Sequence, residues 1–587
     1  MPHILARRFS HGLPCSRRNC EWKSYLFSIT ISENEARHDR NKQKVLIYYN
    51  FFLFVFLVLR TIGLYPICFS DEYQYSILSR IQPLSEAHLP NYLYLKIFNW
   101  TNIFGDGFLM GARIFNIIFF CSSAFFFYKI SLNYTTSHQA IWVTILSLMA
   151  PINTYTAVFM PESLYYFLFI VCMWSLLRIE PHASSSAWLL PGAVLGLNAL
   201  VKPHAQLLIP AVLLYMVFLF GTLSCDCKTR LQSLFKAVIL FVVGIYAIKL
   251  GLGYLLAGTA GLNLAGRAYS SIHYDFLASL PNFLHSLRGH IRGILILFGF
   301  PLLAGLYNLF FRQSDSNGLS YQRKVCLLTC LIACLMIVQV AFFTANIAGT
   351  GPYEHASRLH FRYYNFIFPF FILMSTTVID FSSLKRKLIF YSFLIIYGLF
   401  LIYCFFVRIH PYIVSFIDCP ELAAFQRSKS ILFLFLTIVL ILIYFLIKKK
   451  STLSKNIYIY IILPLYFITS IIINSHTLHA NAIPNIFDKT GIVISEYLTQ
   501  EQKNKTIILS TNQIGAFRVL FYLDSPQASY HIIQEGKTFI PDAKNEENIF
   551  IVVGEDISFA SSNFNEYDFN FFRLYAPARS SLPTPQK

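Results

Sequence analysis

Asp71 and Glu72 are adjacent carboxylates in ICFSDEYQYSILSR, just beyond the first long apolar run of a chain with few acids. A third acid, Glu162, follows Met160-Pro161 in FMPESLYYFLF and opens another apolar run. Two chemistries suit them. Asp71 and Glu162, meeting across neighbouring loops, would bind a divalent cation through oxygen ligands. Alternatively, one carboxylate takes the proton of a hydroxyl acceptor as general base. A plainer role stands beside both. Ser70, Asp71 and Glu72 suit the N-terminus of the helix that follows, and Glu162 the first turn of its own, where the helix dipole favours negative charge. Acids beside hydrocarbon are costly, and that cost is the reason to look for a function in them.

The cations are as sparse. Lys202 lies in GAVLGLNALVKPHAQLLIP, an otherwise apolar hairpin, with His204 two residues on. Its stem also suits an ammonium that merely reaches for the membrane interface. Arg358 and Arg362 are four apart and share a face if helical, with His360 between them and Tyr363 following. Arginine grips phosphate through a planar fork. That phosphate is either a substrate's or a lipid headgroup's.

Composition sets the elements that must carry these residues. Of 587 residues, 56% are hydrophobic, 17% aromatic and only 13% charged. Such a chain is an integral membrane protein in contact with membrane lipids. Runs long enough to cross ~30 Å of hydrocarbon recur from Val45 to Asn474. They read as a polytopic α-helical protein of about thirteen transmembrane helices, near 45–64, 108–130, 139–159, 161–179, 187–201, 204–221, 237–257, 291–311, 326–347, 363–380, 388–408, 430–447 and 457–475. The fifth is short and carries Gly192 and Gly196, so 187–221 is alternatively re-entrant. The net charge of +18 invites a nucleic-acid partner. Lys and Arg gather instead in short loops, the positive-inside pattern, and no nucleic acid is expected. With the basic tail 1–44 in the cytoplasm, Lys228/Arg230, Arg323/Lys324, Lys385–Lys387 and Lys448–Lys450 all fall inside. The acids, histidines and arginines singled out above then fall outside, in loop 65–107, the turns at Glu162 and Lys202, and loop 348–362, as does loop 258–290 with Arg267, His273, Asp275, His285, Arg288 and His290.

Loop 65–107 reads as two short interfacial helices, Tyr73–Ile81 and Tyr92–Trp100. Residues 476–587 change character. Strands are expected at Thr506–Leu509, Val519–Leu523 and Ile549–Val553, in a small extracytoplasmic α/β domain. The chain has no GxxxxGK[ST], GxGxxG or HExxH motif and no CxxC pair. Two other classes remain open: a transporter or lipid flippase, which would place acids at the bilayer midplane, and a non-catalytic assembly protein.

In this order the features resemble a family. The acidic pair Asp71-Glu72 after the first span, Glu162 opening the fourth, the GxxxGLxxLxKP hairpin from Gly192 to Pro203, and an RYxxxxxP element from Arg362-Tyr363 to Pro369 are similar to the polyprenyl-phosphate-sugar-dependent glycosyltransferases of the GT-C fold. Protein O-mannosyltransferases and the lipid A aminoarabinose transferase are relatives. The resemblance spans 45–475 and implies that this region is a transmembrane glycosyltransferase domain with its catalytic outer loop at 65–107. It implies a polyprenyl-phosphate-linked sugar as donor and a lipid, glycan or protein acceptor, at the outer face of a bacterial inner membrane. By the same resemblance, Asp71 is catalytic base or metal-linked carboxylate, Glu72 supports it and Glu162 is the second acid. Lys202, His204, Arg358, Arg362 and Tyr363 bind the substrate, the cations neutralising the leaving phosphate. The chain departs from the pattern in Pro203-His204, where many relatives have Gly-Pro, and in the tail beyond 475.

Overall fold

Apolar helices dominate the computed structural model, which describes residues 43–67, 70–264, 275–311, 319–351, 353–380, 383–542, 545, 547–554 and 557–578. Nearly all of the basic tail 1–44, and Arg267 and His273 of the loop 258–290, lie outside the described residues. The first 52 residues form one unit and Leu53–Lys587 a second.

Among the described residues nine helices are long and apolar enough to cross a membrane, or ten if the bent pair Ser137–Met149 and Pro151–Ala157 is one span. They are Gln43–Thr61, Tyr92–Tyr134, Pro203–Gly221, Cys227–Leu262, Leu277–Phe311, Tyr321–Ile347, Leu384–Val407, Lys429–Ile447 and Ser451–Ala482. At three further places where spans are expected, the helices are shorter: Glu162–Leu177, Ser185–Val201 and Asn365–Met374. Each has a local cause. Pro161 and Lys202 bound the first two, and extended backbone at Lys202 (φ −143°, ψ 124°) ends the second. Two 3-10 turns, Phe361–Tyr363 and Asn365–Ile367, take up the start of the third.

The first outer segment folds as two helices, Ser70–Arg80 and Tyr92–Asn99, within a residue or three of expectation. A 3-10 stretch, Trp100–Gly107, then breaks at Gly105 (φ 53°) and turns the chain into the helix Phe108–Tyr134. The helix Leu189–Val201 lies against Cys227–Ala257 with no room to spare. A Cβ on Gly192 or Gly196 would collide with the carbonyl oxygen of Phe241 or Ile245. Small residues four apart permit this close approach, which fixes the end of the helix where Lys202 stands.

Residues 506–577 carry a five-stranded sheet in the order β2–β1–β4–β7–β6. Its strands are β1 (Thr506–Ser510), β2 (Ser529–Ile532), β4 (Ile549–Val553), β6 (Phe564–Asp568) and β7 (Phe572–Pro577); β3 (Thr538–Phe539) and β5 (Ser558–Phe559) pair separately. β1 runs parallel to β2 and β4, while β7 is antiparallel to β4 and β6. β1 and β4 are buried along their whole length, as central parallel strands are. The strand expected at Val519–Leu523 is instead the second half of a helix, Gln513–Leu523. Asn512 caps it by accepting from Gly515 N at 3.1 Å, and Asp524 ends it in the left-handed region. A start signal outside the five-residue apolar window overrode the β-propensity of the window itself.

Candidate active site

The helix Ser70–Arg80 carries both acids in its first turn, which its dipole favours, yet each carboxylate reaches to another segment. Asp71 Oδ2 accepts from Arg362 Nη1 at 2.6 Å. Glu72 is fully buried and accepts from Phe159 N at 2.9 Å. The turn it grips is also held at Ala157 O by Arg113 Nε and at Val158 O by Asn116 Nδ2. Glu162 begins just beyond. The two neighbouring acids therefore do different things. Asp71, about a third exposed, faces the cations, and Glu72 secures the turn that presents Glu162.

Glu162 and Lys202 form a buried ion pair, Nζ to Oε1 at 2.8 Å, with side chains 5% and 7% exposed. Lys202 does not reach for the surface. Its ammonium also lies 5.7 Å from the Tyr165 ring and 5.5 Å from the Tyr363 ring. His204 packs between those rings, at 5.0 and 5.4 Å. Arg362 lies over Tyr363 at 5.2 Å. Asp71, Glu162, Lys202, His204, Arg362 and Tyr363 thus form one cluster around the Tyr363 ring. Burial lowers the basicity of Lys202, and Arg362 lowers it further, while Glu162 and Asp71 oppose the change. Burial also works against the Arg362 charge, but Asp71, Asp418 and Glu162 outweigh it and hold the guanidinium charged.

Arg358 stands one step back. Its Nε and Nη2 both reach Asp418 Oδ2 at 2.8 Å, and its Nη1 reaches Glu354 Oε1 at 3.1 Å. Asp418 is fully buried and is shared: Arg362 Nε is 3.2 Å from its Oδ1, and His360 Nδ1 is 3.7 Å from the same oxygen. Burial would raise its pKa, but Arg362, His360 and Arg358 hold it below the usual carboxylate range. The segment bearing Asp418 is tied down at several points. Arg362 N donates to Asp418 O, Tyr155 Oη to Ile417 O, and Asn365 Nδ2 to Glu421 Oε1.

A cavity of about 450 Å³ opens beside the cluster. His204 and Tyr363 line it where it meets the cluster, Gln206 and Gln339 are its other polar residues, and Leu207, Leu264, Met336, Val340, Phe342 and Phe343 make most of its wall. A largely hydrocarbon wall that ends at Tyr363, whose ring Lys202 and Arg362 also approach, suits a phosphate on an apolar chain.

Asp71 and Glu162, expected as an oxygen pair for a divalent cation, each face a protein cation. No group of three His, Cys, Asp or Glu arranged for a metal exists among the described residues.

Across almost its whole length the chain superposes on the crystal structure of ArnT from Cupriavidus metallidurans bound to undecaprenyl phosphate. The TM-score is 0.51 at 12% identity, covering 92% of this chain and 99% of that one. The fold is that of the GT-C glycosyltransferases. Apo ArnT from the same organism matches at 13% identity and TM-score 0.44, over 85% of this chain and 91% of that one. The oligosaccharyltransferase of Archaeoglobus fulgidus tethered with an acceptor peptide matches at 12% and 0.39, over 82% and 64%. Residues 91–246 match the family model described as dolichyl-phosphate-mannose-protein mannosyltransferase. That stretch includes Glu162, Lys202 and His204. No curated protein matches in sequence. Sequence reasoning missed Asp418. Its loop, SFIDCPEL, carries two acids between apolar runs on the same side as the others, and the sidedness argument applied to 258–290 and 348–362 reaches it equally.

Proposed function

We propose that the chain is a membrane glycosyltransferase that moves a sugar from a polyprenyl-phosphate-linked donor to an acceptor at the outer face of the membrane, the acceptor being a lipid, glycan or protein. One observation carries the reading. Five segments far apart in sequence deliver Asp71, Glu162, Lys202, Arg362 and Asp418 to one group of charges, behind the His204 and Tyr363 side chains that line an apolar cavity. The bound undecaprenyl phosphate named for the ArnT structure supports a donor of this class.

The acceptor hydroxyl oxygen attacks the anomeric carbon as the bond from that carbon to the phosphate oxygen breaks. Asp71 takes the hydroxyl proton. The lipid phosphate departs with one more negative charge, and Lys202 and Arg362 stabilise it where it develops. Their present partners, Glu162 and Asp71, keep the two cations in place before the phosphate arrives. In this reading all thirteen apolar segments cross the bilayer, residues 1–44 lie in the cytoplasm, and 476–587 lie outside a bacterial inner membrane.

The test is transfer by purified protein from a polyprenyl-phosphate sugar. Asp71→Asn is expected to abolish it while the protein still folds, because the amide keeps shape but not basicity. Glu72→Gln should retain much of it, since an amide oxygen still accepts from Phe159 N. Near-normal transfer by Asp71→Asn would remove the base role. No transfer by the native protein from any such donor would sink the reading.

A further inference from the structure

We infer that Asp418 is the positioning residue of the phosphate end of this site: it fixes one edge of Arg362 so that the other edge can exchange Asp71 for a lipid-linked phosphate. The inference rests on the reading above for the identity of the ligand, and on geometry for the residue.

Arg362 presents two edges with different surroundings. Its Nε edge meets Asp418, which is fully buried; its Nη1 meets Asp71, which is about a third exposed. A buried carboxylate has no water to turn to, so it holds its cation; a partly exposed one exchanges its partner at lower cost. Asp418 is itself fixed from three directions. Arg358 contacts Oδ2 through two nitrogens, His360 approaches Oδ1, and the backbone N of Arg362 donates to Asp418 O at 2.8 Å. The last bond joins the two segments at the residue whose side chain must be aimed. Arg362 therefore cannot follow a departing Asp71 or swing toward an arriving phosphate. It stays and accepts the next anion. Arg358, fully engaged by Asp418 and Glu354, acts behind Asp418 rather than on the substrate, where the sequence had placed it.

The test is binding of a short-chain polyprenyl phosphate to detergent-purified full-length protein, followed by titration and run beside the transfer assay. Asp418→Asn keeps the shape of the side chain and removes its charge. It is expected to weaken binding about tenfold to a hundredfold, within the range of coupling between contacting residues, because the 3.2 Å ion pair to Arg362 Nε loses one charge. Arg362→Lys should weaken it comparably. The double variant should be little worse than either single one, because Asp418 acts through Arg362. Losses that multiply would assign Asp418 a merely structural role and overturn the inference, as would native affinity in Asp418→Asn. Should Asp418→Asn fail to fold, Arg358→Gln leaves one cation on Asp418 and is expected to cost affinity without costing the Arg362 contact; unchanged affinity there overturns the inference too. Non-multiplying binding losses together with no transfer by the native protein would sink the transferase reading and leave the positioning role standing. No binding by the native protein would sink both.

Discussion

Lys202 shows how much depends on one buried pair. Its ammonium and Glu162 are both nearly inaccessible, so neither charge has water to fall back on. Removing one partner of such a pair costs about 3–5 kcal/mol, because the other is left charged in a poor solvent. Lys202→Met is therefore expected to lower the unfolding temperature as well as transfer. Lys202→Met combined with Glu162→Gln removes both charges and should recover most of the stability while transfer stays lost. Recovery of transfer with stability would show that the pair serves folding alone. The residue types at this site were legible in the sequence, because charges are rare among apolar runs and their rarity marks them. Their partners were not. Nothing in the spacing tells that Glu72 turns to Phe159 N while Asp71 turns to Arg362, or that Arg358 turns to Asp418 and Glu354. Those choices are made by the directions in which neighbouring helices place their ends.

Elements were legible where their period was long and unbroken, and less so where short segments meet. Long helices such as Phe108–Tyr134, Tyr321–Ile347 and Lys429–Ile447 follow directly from runs of apolar residues. The segment 408–428 does not; it is an irregular stretch between two spans, and it carries both Asp418 and Glu421. Glu421 lies buried with Asn365 donating to one oxygen, and Tyr466 Oη donates to its backbone carbonyl. Burial raises its pKa to about 8, against the pull of a backbone N–H of its own and of the Asn365 hydrogen bond. The folded protein thus holds this proton where an unfolded chain, at the ordinary carboxyl value of about 4.3, has released it. Stability from this group is present at low pH and falls as pH rises from about 5 toward 8, by up to ~1.4 kcal/mol per unit, then levels off. Unfolding temperature measured in detergent across that range should decline for the native protein. Glu421→Gln, neutral at every pH, should decline less. Parallel curves would mean that Glu421 is charged in the folded state.

At the scale of the molecule, sidedness is the first question. The one-sided basic clusters predict that reporters fused after Lys387 and after Lys587 read inside and outside respectively; both on one side would refute the thirteen-span topology. The second question is whether the α/β region is a passenger or part of the catalytic body. The hydrophobic core under β1 and β4 does not stop at the sheet. It runs through Phe517, Leu520 and Phe521 into Tyr73 and Ile77 of the helix that bears Asp71, with Phe108 and Leu109 packed against it. Tyr73 stacks on Phe517 at 5.8 Å, and Phe108 meets Phe521 at 5.5 Å. Arg80, at the other end of that helix, pairs with Asp524 and lies 3.4 Å from the centre of the Phe108 ring. Aromatic side chains buried in such a joint are worth about 3–5 kcal/mol each when truncated to alanine. A chain ending at residue 482 would expose Tyr73, Ile77 and Phe108 together and free the helix that aims Asp71. It is expected to accumulate poorly, to elute as aggregate by size exclusion, and to transfer no sugar. Phe517→Ala should show a graded form of the same defect, with a lower unfolding temperature and a lower turnover. A monodisperse truncated protein with native transfer would show that the region is separable, and that the helix Ser70–Arg80 is held by the transmembrane helices alone.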